Sequence, residues 1–198
     1  MTNNIILAGV GGQGILSIAA VIGMAALDNG LQVKQAEVHG MSQRGGAVLS
    51  HLRISDEKIY SNLISNGEAD IILSVEPMEL LRYKPFLKPE GYLVSNTKQI
   101  LNIPNYPDRE KLFEEINHYP NNILLDADSL AKKAGNIRSA NMVMLGAASE
   151  HLVLSDENLI SGIKSIFGRK GERIIQLNID AFNFGKEAAA EYVRSVKH

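Results

Sequence analysis

The stretch Ile5-Ile6-Leu7-Ala8-Gly9-Val10-Gly11-Gly12-Gln13-Gly14, followed at once by Ile15-Leu16-Ser17-Ile18-Ala19-Ala20-Val21-Ile22, decides the fold. A short apolar run of strand length meets a glycine-rich turn and then a helix-like apolar pattern, which predicts a strand turning sharply into a helix. Gly9 suits the tight turn, Gly11 lets a ligand's phosphate approach the backbone, and Gly14 lets the helix lie close on the strand. Free N–H groups at the helix start attract anions, so Gly9, Gly11, Gly12, Gln13 and Gly14 are candidate ligand-binding residues. The same pattern also serves close packing of helix on strand with no ligand at all, and this loop alone leaves both readings open.

Outward from this unit, Gly30 supplies a helix stop and residues 31–38 read as a second strand, giving an opening βαβ unit. Residues 47–54 alternate as a strand, and Asp56-Glu57 predicts a turn into a hairpin partner at residues 58–61. Residues 69–75 have a buried-strand pattern, and Glu76-Pro77 opens a helix ending by Pro85. Strands follow at 91–95 and 122–125, with a helix capped by Asp108 between them and a helix capped by Asp128 after them. Three helices close the chain, at 140–151, at 156–167 and within 179–196. The expected fold class is α/β: a single Rossmann-like open, largely parallel sheet flanked by helices, with an antiparallel hairpin allowed and a helical C-terminal part. With 198 residues and no compositional break, one domain over residues 1–198 is expected.

A hydrophobic share of 45% with 21% charged residues places the chain among globular proteins rather than disordered ones. A formal net charge of -2 provides no field that would gather nucleic acid or an anionic membrane, so neither is an expected partner. The absence of cysteine excludes disulfides, a cysteine nucleophile and any cysteine-ligated iron-sulfur cluster within this chain. No apolar run approaches the roughly 20 residues of a membrane span, and Met1-Thr2-Asn3-Asn4 has no basic region of a signal peptide. The expected location is the cytoplasm.

A second glycine loop, His39-Gly40-Met41-Ser42-Gln43-Arg44-Gly45-Gly46, falls on the same sheet edge as the first, the edge where open α/β sheets bind ligands. Arg44 offers a planar fork of donors for phosphate or carboxylate, and Gly45-Gly46 allows the backbone to come close to whatever it holds. A lone arginine on a loop is more often solvated, but two glycine loops on one edge favour a site comprising Gln43, Arg44, Gly45 and Gly46. Glu37 lies 23 residues after Gly14, near where a nicotinamide enzyme places its ribose-binding acid. It serves equally as a structural acid beside the Arg44 loop. Glu76 ends a strand on the ligand edge, yet the dipole of the helix it opens accounts for it without a ligand; Asp126 and Asp128 are explained by capping. The five histidines show no metal-ligand spacing. Neither a G-x-S-x-G elbow nor a P-loop is present. Ligand-binding machinery without catalytic machinery suggests one subunit of a larger enzyme, with no metal and no catalytic residue here.

Gly9-Val10-Gly11-Gly12-Gln13-Gly14, the run Glu37 to Gly46, and Asn141-Met142-Val143-Met144-Leu145-Gly146 together resemble, in order and spacing over essentially the whole chain, the gamma-type domain of the 2-oxoacid:ferredoxin oxidoreductases. The Ser-Gln-Arg-Gly-Gly form points towards the indolepyruvate branch. The resemblance implies an accessory subunit in an oxidative decarboxylation, in which an arylpyruvate, coenzyme A and oxidised ferredoxin give an aryl-acetyl-CoA, carbon dioxide and reduced ferredoxin. It places thiamine diphosphate and iron-sulfur clusters on a larger alpha subunit. It makes the two glycine loops candidates to hold coenzyme A, the first at its pyrophosphate and Arg44 at its phosphates. Two rival readings remain: a stand-alone Rossmann-like dinucleotide-binding protein or reductase using Glu37, and a structural subunit whose loops only pack against the partner.

Overall fold

A computed structural model describes residues 1–39 and 45–196. Its centre is a six-stranded sheet of order β2-β3-β1-β4-β5-β6, built from β1 (Thr2–Val10), β2 (Gln32–His39), β3 (Ala47–Ser55), β4 (Ala69–Ser74), β5 (Leu87–Asn96) and β6 (Asn122–Leu125). Strands β1, β4, β5 and β6 run parallel, whereas β3 pairs antiparallel with both β1 and β2. The sheet is therefore mixed and mostly parallel. β1 is buried along almost its whole length because both of its neighbours and both of its faces are covered, which explains its unbroken apolar run.

Among the described residues seven α-helices flank the sheet: α1 (Ile15–Asp28), α2 (Pro77–Arg82), α3 (Arg109–Asn117), α4 (Ala127–Lys133), α5 (Ala140–Ala148), α6 (Asp156–Phe167) and α7 (Glu172–Val196). One face of the sheet, with Ile5, Leu7, Ile71 and Leu73, packs on α1, α5, α6 and α7; the other, with Ile6, Ile72 and Leu93, packs on Leu80 of α2 and Ile116 of α3. α5 is buried at every position from Asn141 to Ala148, as expected of a helix apolar all round, and lies against α7. No helix of the described residues is long and apolar enough to cross a membrane.

Several expectations are corrected. β2 does not pair with β1, because β3 is inserted between them. Residues 58–61 form no strand: both edges of β3 are already occupied, and the segment is held instead by Arg53, whose guanidinium donates to the Ser61 and Leu63 carbonyls at 3.1 and 3.2 Å. Asp126, not Asp128, caps α4, accepting from the Ser129 amide at 3.0 Å. Asp108 occupies the N-cap of α3 but its side chain caps nothing. The last helix begins at Glu172, directly after Gly171, rather than near 179.

α5 and α7 cross with glycines on both sides, and this crossing sets where their N-termini emerge. A Cβ on Gly185 would stand 1.9 Å from the Val143 carbonyl oxygen, and one on Gly146 would stand 1.9 Å from that of Phe182. Overpacking typically costs about 1–3 kcal/mol, and here the obstacle is backbone, so Gly185→Ala is expected to lower stability by about 3 kcal/mol or more. Gly168→Ala, with helical dihedrals and nothing within 4 Å, should shift stability by less than about 1 kcal/mol. Denaturant unfolding of the two variants checks the contrast.

Candidate ligand cavity at the carboxyl edge of the sheet

The first glycine loop leaves β1 and enters α1 as expected, but its residues divide the work differently. Gly9 lies inside β1, where a Cβ would meet Val75 Cγ2 at 2.4 Å and Ile15 Cδ1 at 2.7 Å, so close approach and not the turn requires glycine there. The turn is made at Gly12 and at Gly14, the N-cap of α1, with φ +99° and +79°. At Gly14 a Cβ would also fall 2.7 Å from Asn141 Nδ2, and that amide donates to the Gly14 carbonyl at 3.1 Å. Gly14 is thus packed on α5 rather than on the strand.

Gly11 does not offer its amide to a phosphate: its N–H donates to the Gly46 carbonyl at 2.9 Å, joining the two glycine loops. Gln13 is likewise occupied. Its Oε1 accepts from the Val10 amide at 2.8 Å and its Nε2 donates to the Val75 carbonyl at 3.1 Å, tying the ends of β1 and β4 together. Gly45 is exposed, and its carbonyl accepts from Asn102 Nδ2 at 2.7 Å. The proposed site residues Gln43 and Arg44 lie outside the described residues.

A cavity of about 950 Å³ opens beside this loop, with Gly12, Gln13, Gly14 and Ser17 on one wall. Asn96, Lys98 and Asp128 form a second wall past the ends of β5 and β6. The third comes from Arg138 and Ser139 before α5, and from Lys170, Arg173 and Ile174 at the start of α7. No side chain caps the N-terminus of α1, which leaves the amides ahead of Ser17 to an acceptor from outside the helix, whereas at α5 the Ala140 amide donates to the Ile137 carbonyl and the Met142 amide to Asn141 Oδ1 at 3.1 Å. Four basic side chains line the cavity against one carboxylate, Asp128, which is engaged by Lys98 at 2.6 Å and by Asn96 at 3.0 Å. Lys170 lies over the Phe167 ring at 5.1 Å; among the described residues Arg138 and Arg173 have no acidic partner. Unpaired cations and exposed helix amides in one concavity suit a multiply charged anion.

Glu37 is not part of this cavity. It stands on β2 and accepts from Gln35 Nε2 at 2.6 Å. With β3 inserted, β2 lies two strand spacings from β1, about 10 Å, so Glu37 does not take the place of a ribose-binding acid on the strand next to β1. Glu76 is wholly buried and caps α2, accepting from the Glu79 amide at 2.8 Å.

Sequence reasoning missed Lys98, Arg138, Lys170 and Arg173. The signal for the last pair was Gly168-Arg169-Lys170-Gly171-Glu172-Arg173, a basic glycine-bearing run just ahead of a helical pattern. Placing α7 too late hid it.

The family model described as pyruvate ferredoxin/flavodoxin oxidoreductase matches residues 4–188. The chain belongs to this family. Within the family it is 38% identical over 198 residues to the indolepyruvate oxidoreductase subunit IorB of Pyrococcus horikoshii, covering 95% of this chain and 96% of that one. It is 37% identical over 200 residues to IorB of Methanothermobacter thermautotrophicus, covering 96% of this chain and all of the other. Among solved structures, the keto/oxoacid ferredoxin oxidoreductase gamma subunit of Geobacter sulfurreducens superimposes with a TM-score of 0.71 at 28% identity, covering 96% of this chain and 99% of that chain. The 2-oxoglutarate:ferredoxin oxidoreductase of Magnetococcus marinus, solved with 2-oxoglutarate, coenzyme A and succinyl-CoA bound, gives a TM-score of 0.75 at 27% identity. This chain is covered to 96% in that match and spans 31% of the longer chain.

The Gln13 bonds predict a stability effect independent of any ligand. Gln13→Ala strands the buried Val10 amide, a loss of about 1–3 kcal/mol, read in thermal unfolding. Unchanged stability with weakened ligand binding would instead make Gln13 a ligand contact.

Proposed function

We propose that this chain is the accessory subunit of an indolepyruvate (arylpyruvate):ferredoxin oxidoreductase and that its cationic cavity holds coenzyme A. Two findings support the enzyme: the IorB relatives match along nearly their whole length, and a 2-oxoacid oxidoreductase with the same fold carries coenzyme A. The observation that carries the ligand assignment is the pairing of the uncapped α1 N-terminus with Arg138, Lys170 and Arg173 in one cavity that excludes Glu37. A pyrophosphate together with a ribose phosphate demands several positive contacts, whereas an unphosphorylated ribose demands an acid. The cavity supplies the first.

In this reading the complex converts an aryl 2-oxoacid, coenzyme A and oxidised ferredoxin into aryl-acetyl-CoA, carbon dioxide and reduced ferredoxin in the cytoplasm. The electron pair released at decarboxylation passes to ferredoxin. The iron-sulfur clusters belong on the larger alpha subunit, since this chain has no cysteine, and thiamine diphosphate goes with them as the family resemblance implies. The present chain contributes binding and orientation: the α1 amides and Gly12 meet the pyrophosphate, the α7 wall meets the remaining phosphate, and Gln13 and Gly14 hold the loop in shape. Arg44, with Gln43, Gly45 and Gly46, completes the site from the second loop.

Co-purification of the tagged chain from its host should recover a large cysteine-rich partner with indolepyruvate- and coenzyme A-dependent reduction of a viologen dye. A solitary chain that binds NADH at micromolar strength contradicts the reading. Within the complex, Arg173→Ala removes a charge-assisted contact and should raise the KM for coenzyme A about tenfold or more at little changed kcat. Arg44→Ala should act in the same direction.

A further inference from the structure

We propose that Glu76 and Tyr106 are positioning residues that fasten segment 97–107 as a strap, holding Lys98 in the cavity and linking the cavity to the second glycine loop. The inference rests on the reading of the cavity as a coenzyme A site. After β5 the chain crosses the carboxyl edge of the sheet with no secondary structure, and Leu101 and Ile103 are 75% and 40% exposed. Little apolar burial fixes the path, so a few polar bonds must.

Two of those bonds meet at one atom. Glu76 Oε1 accepts both the Ile100 amide, at 3.3 Å, and the Tyr106 hydroxyl, while the other carboxylate oxygen caps α2. Glu76 is fully buried, which makes each of these charge-assisted bonds strong. Burial and the Glu76 carboxylate hold the Tyr106 hydroxyl above its ordinary pKa, favouring further the protonated form that donates this bond.

On the near side of this anchor, Lys98 and Ile100 line the cavity. On the far side, Asn102 donates to the Gly45 carbonyl at 2.7 Å, and the next carbonyl, that of Gly46, accepts the Gly11 amide at 2.9 Å. The circuit thus runs from cavity wall to strap, to second loop, to first loop, and back to the cavity at Gly12. A ligand that engages Lys98 binds best when the strap is fastened. By linkage it must then shift the strap's opening equilibrium towards the fastened form by the same factor.

The test is hydrogen exchange of peptides spanning 97–107 in the assembled complex, wild type and Tyr106→Phe, with and without coenzyme A. Loss of one hydrogen bond to a buried carboxylate should raise strap exchange about tenfold or more in the ligand-free variant. Saturating coenzyme A should suppress exchange in both proteins. Tyr106→Ala, which also removes the ring, should raise the KM for coenzyme A severalfold at unchanged kcat, with Tyr106→Phe intermediate. Strap exchange unaffected by Tyr106→Phe would overturn the anchor, and exchange insensitive to bound coenzyme A would overturn the link to the cavity. Equilibrium dialysis of coenzyme A against the same complex separates the two ideas: no binding there defeats the coenzyme A reading, while the ligand-free exchange data still judge the anchor.

Discussion

β3 occupies the place beside β1 that the second strand of a βαβ unit would otherwise fill, and its antiparallel bonds to β1 and β2 along almost their full lengths fix the rest of the molecule. Because β3 returns beside β1, Gly46 just ahead of β3 arrives next to the loop after β1, and its carbonyl accepts the Gly11 amide. Because β3 stands between them, β2 and its acid are carried away from the α1 N-terminus. The same pairing consumes both edges of β3 and leaves residues 58–61 without a strand partner. One insertion in strand order therefore joins the glycine loops and removes the acid that a nicotinamide site needs.

The opposite side of the cavity depends on a different constraint. α5 is buried all round, and its approach to α7 through Gly146 and Gly185 is too close for any side chain. That approach brings the start of α7, with Lys170 and Arg173, towards the start of α5, with Arg138, while Asn141 ties α5 to Gly14 of α1. Helix ends and cations then act on the same space. Isolated surface arginines contribute little, but in a concavity faced by helix amides they select for negative charge.

Much of this was legible from the chain. The strand-to-helix turn, the buried α5 motif and α6 from Asp156 to Phe167 follow from apolar periodicity and glycine placement, which act locally. Strand order did not follow, because alternation in residues 47–54 specifies a strand but not its neighbours. Gln13 could be singled out by its place in the loop, yet whether its amide faces a ligand or two backbone groups depends on where Val75 lies, sixty-two residues away. The cations of the α7 wall were hidden for a related reason. Arg138 and Arg173 are ordinary surface residues until tertiary packing brings their helices to one cavity.

The central claim is that the cavity under the α1 N-terminus is where this subunit holds coenzyme A. The most direct measurement is a structure of the assembled complex with coenzyme A bound. The account predicts the pyrophosphate against Gly12 to Gly14 and the ribose phosphate on the wall of Arg138, Lys170 and Arg173. Coenzyme A held elsewhere, with this cavity filled by a segment of the larger subunit, would contradict it and leave the glycine loops as a docking surface.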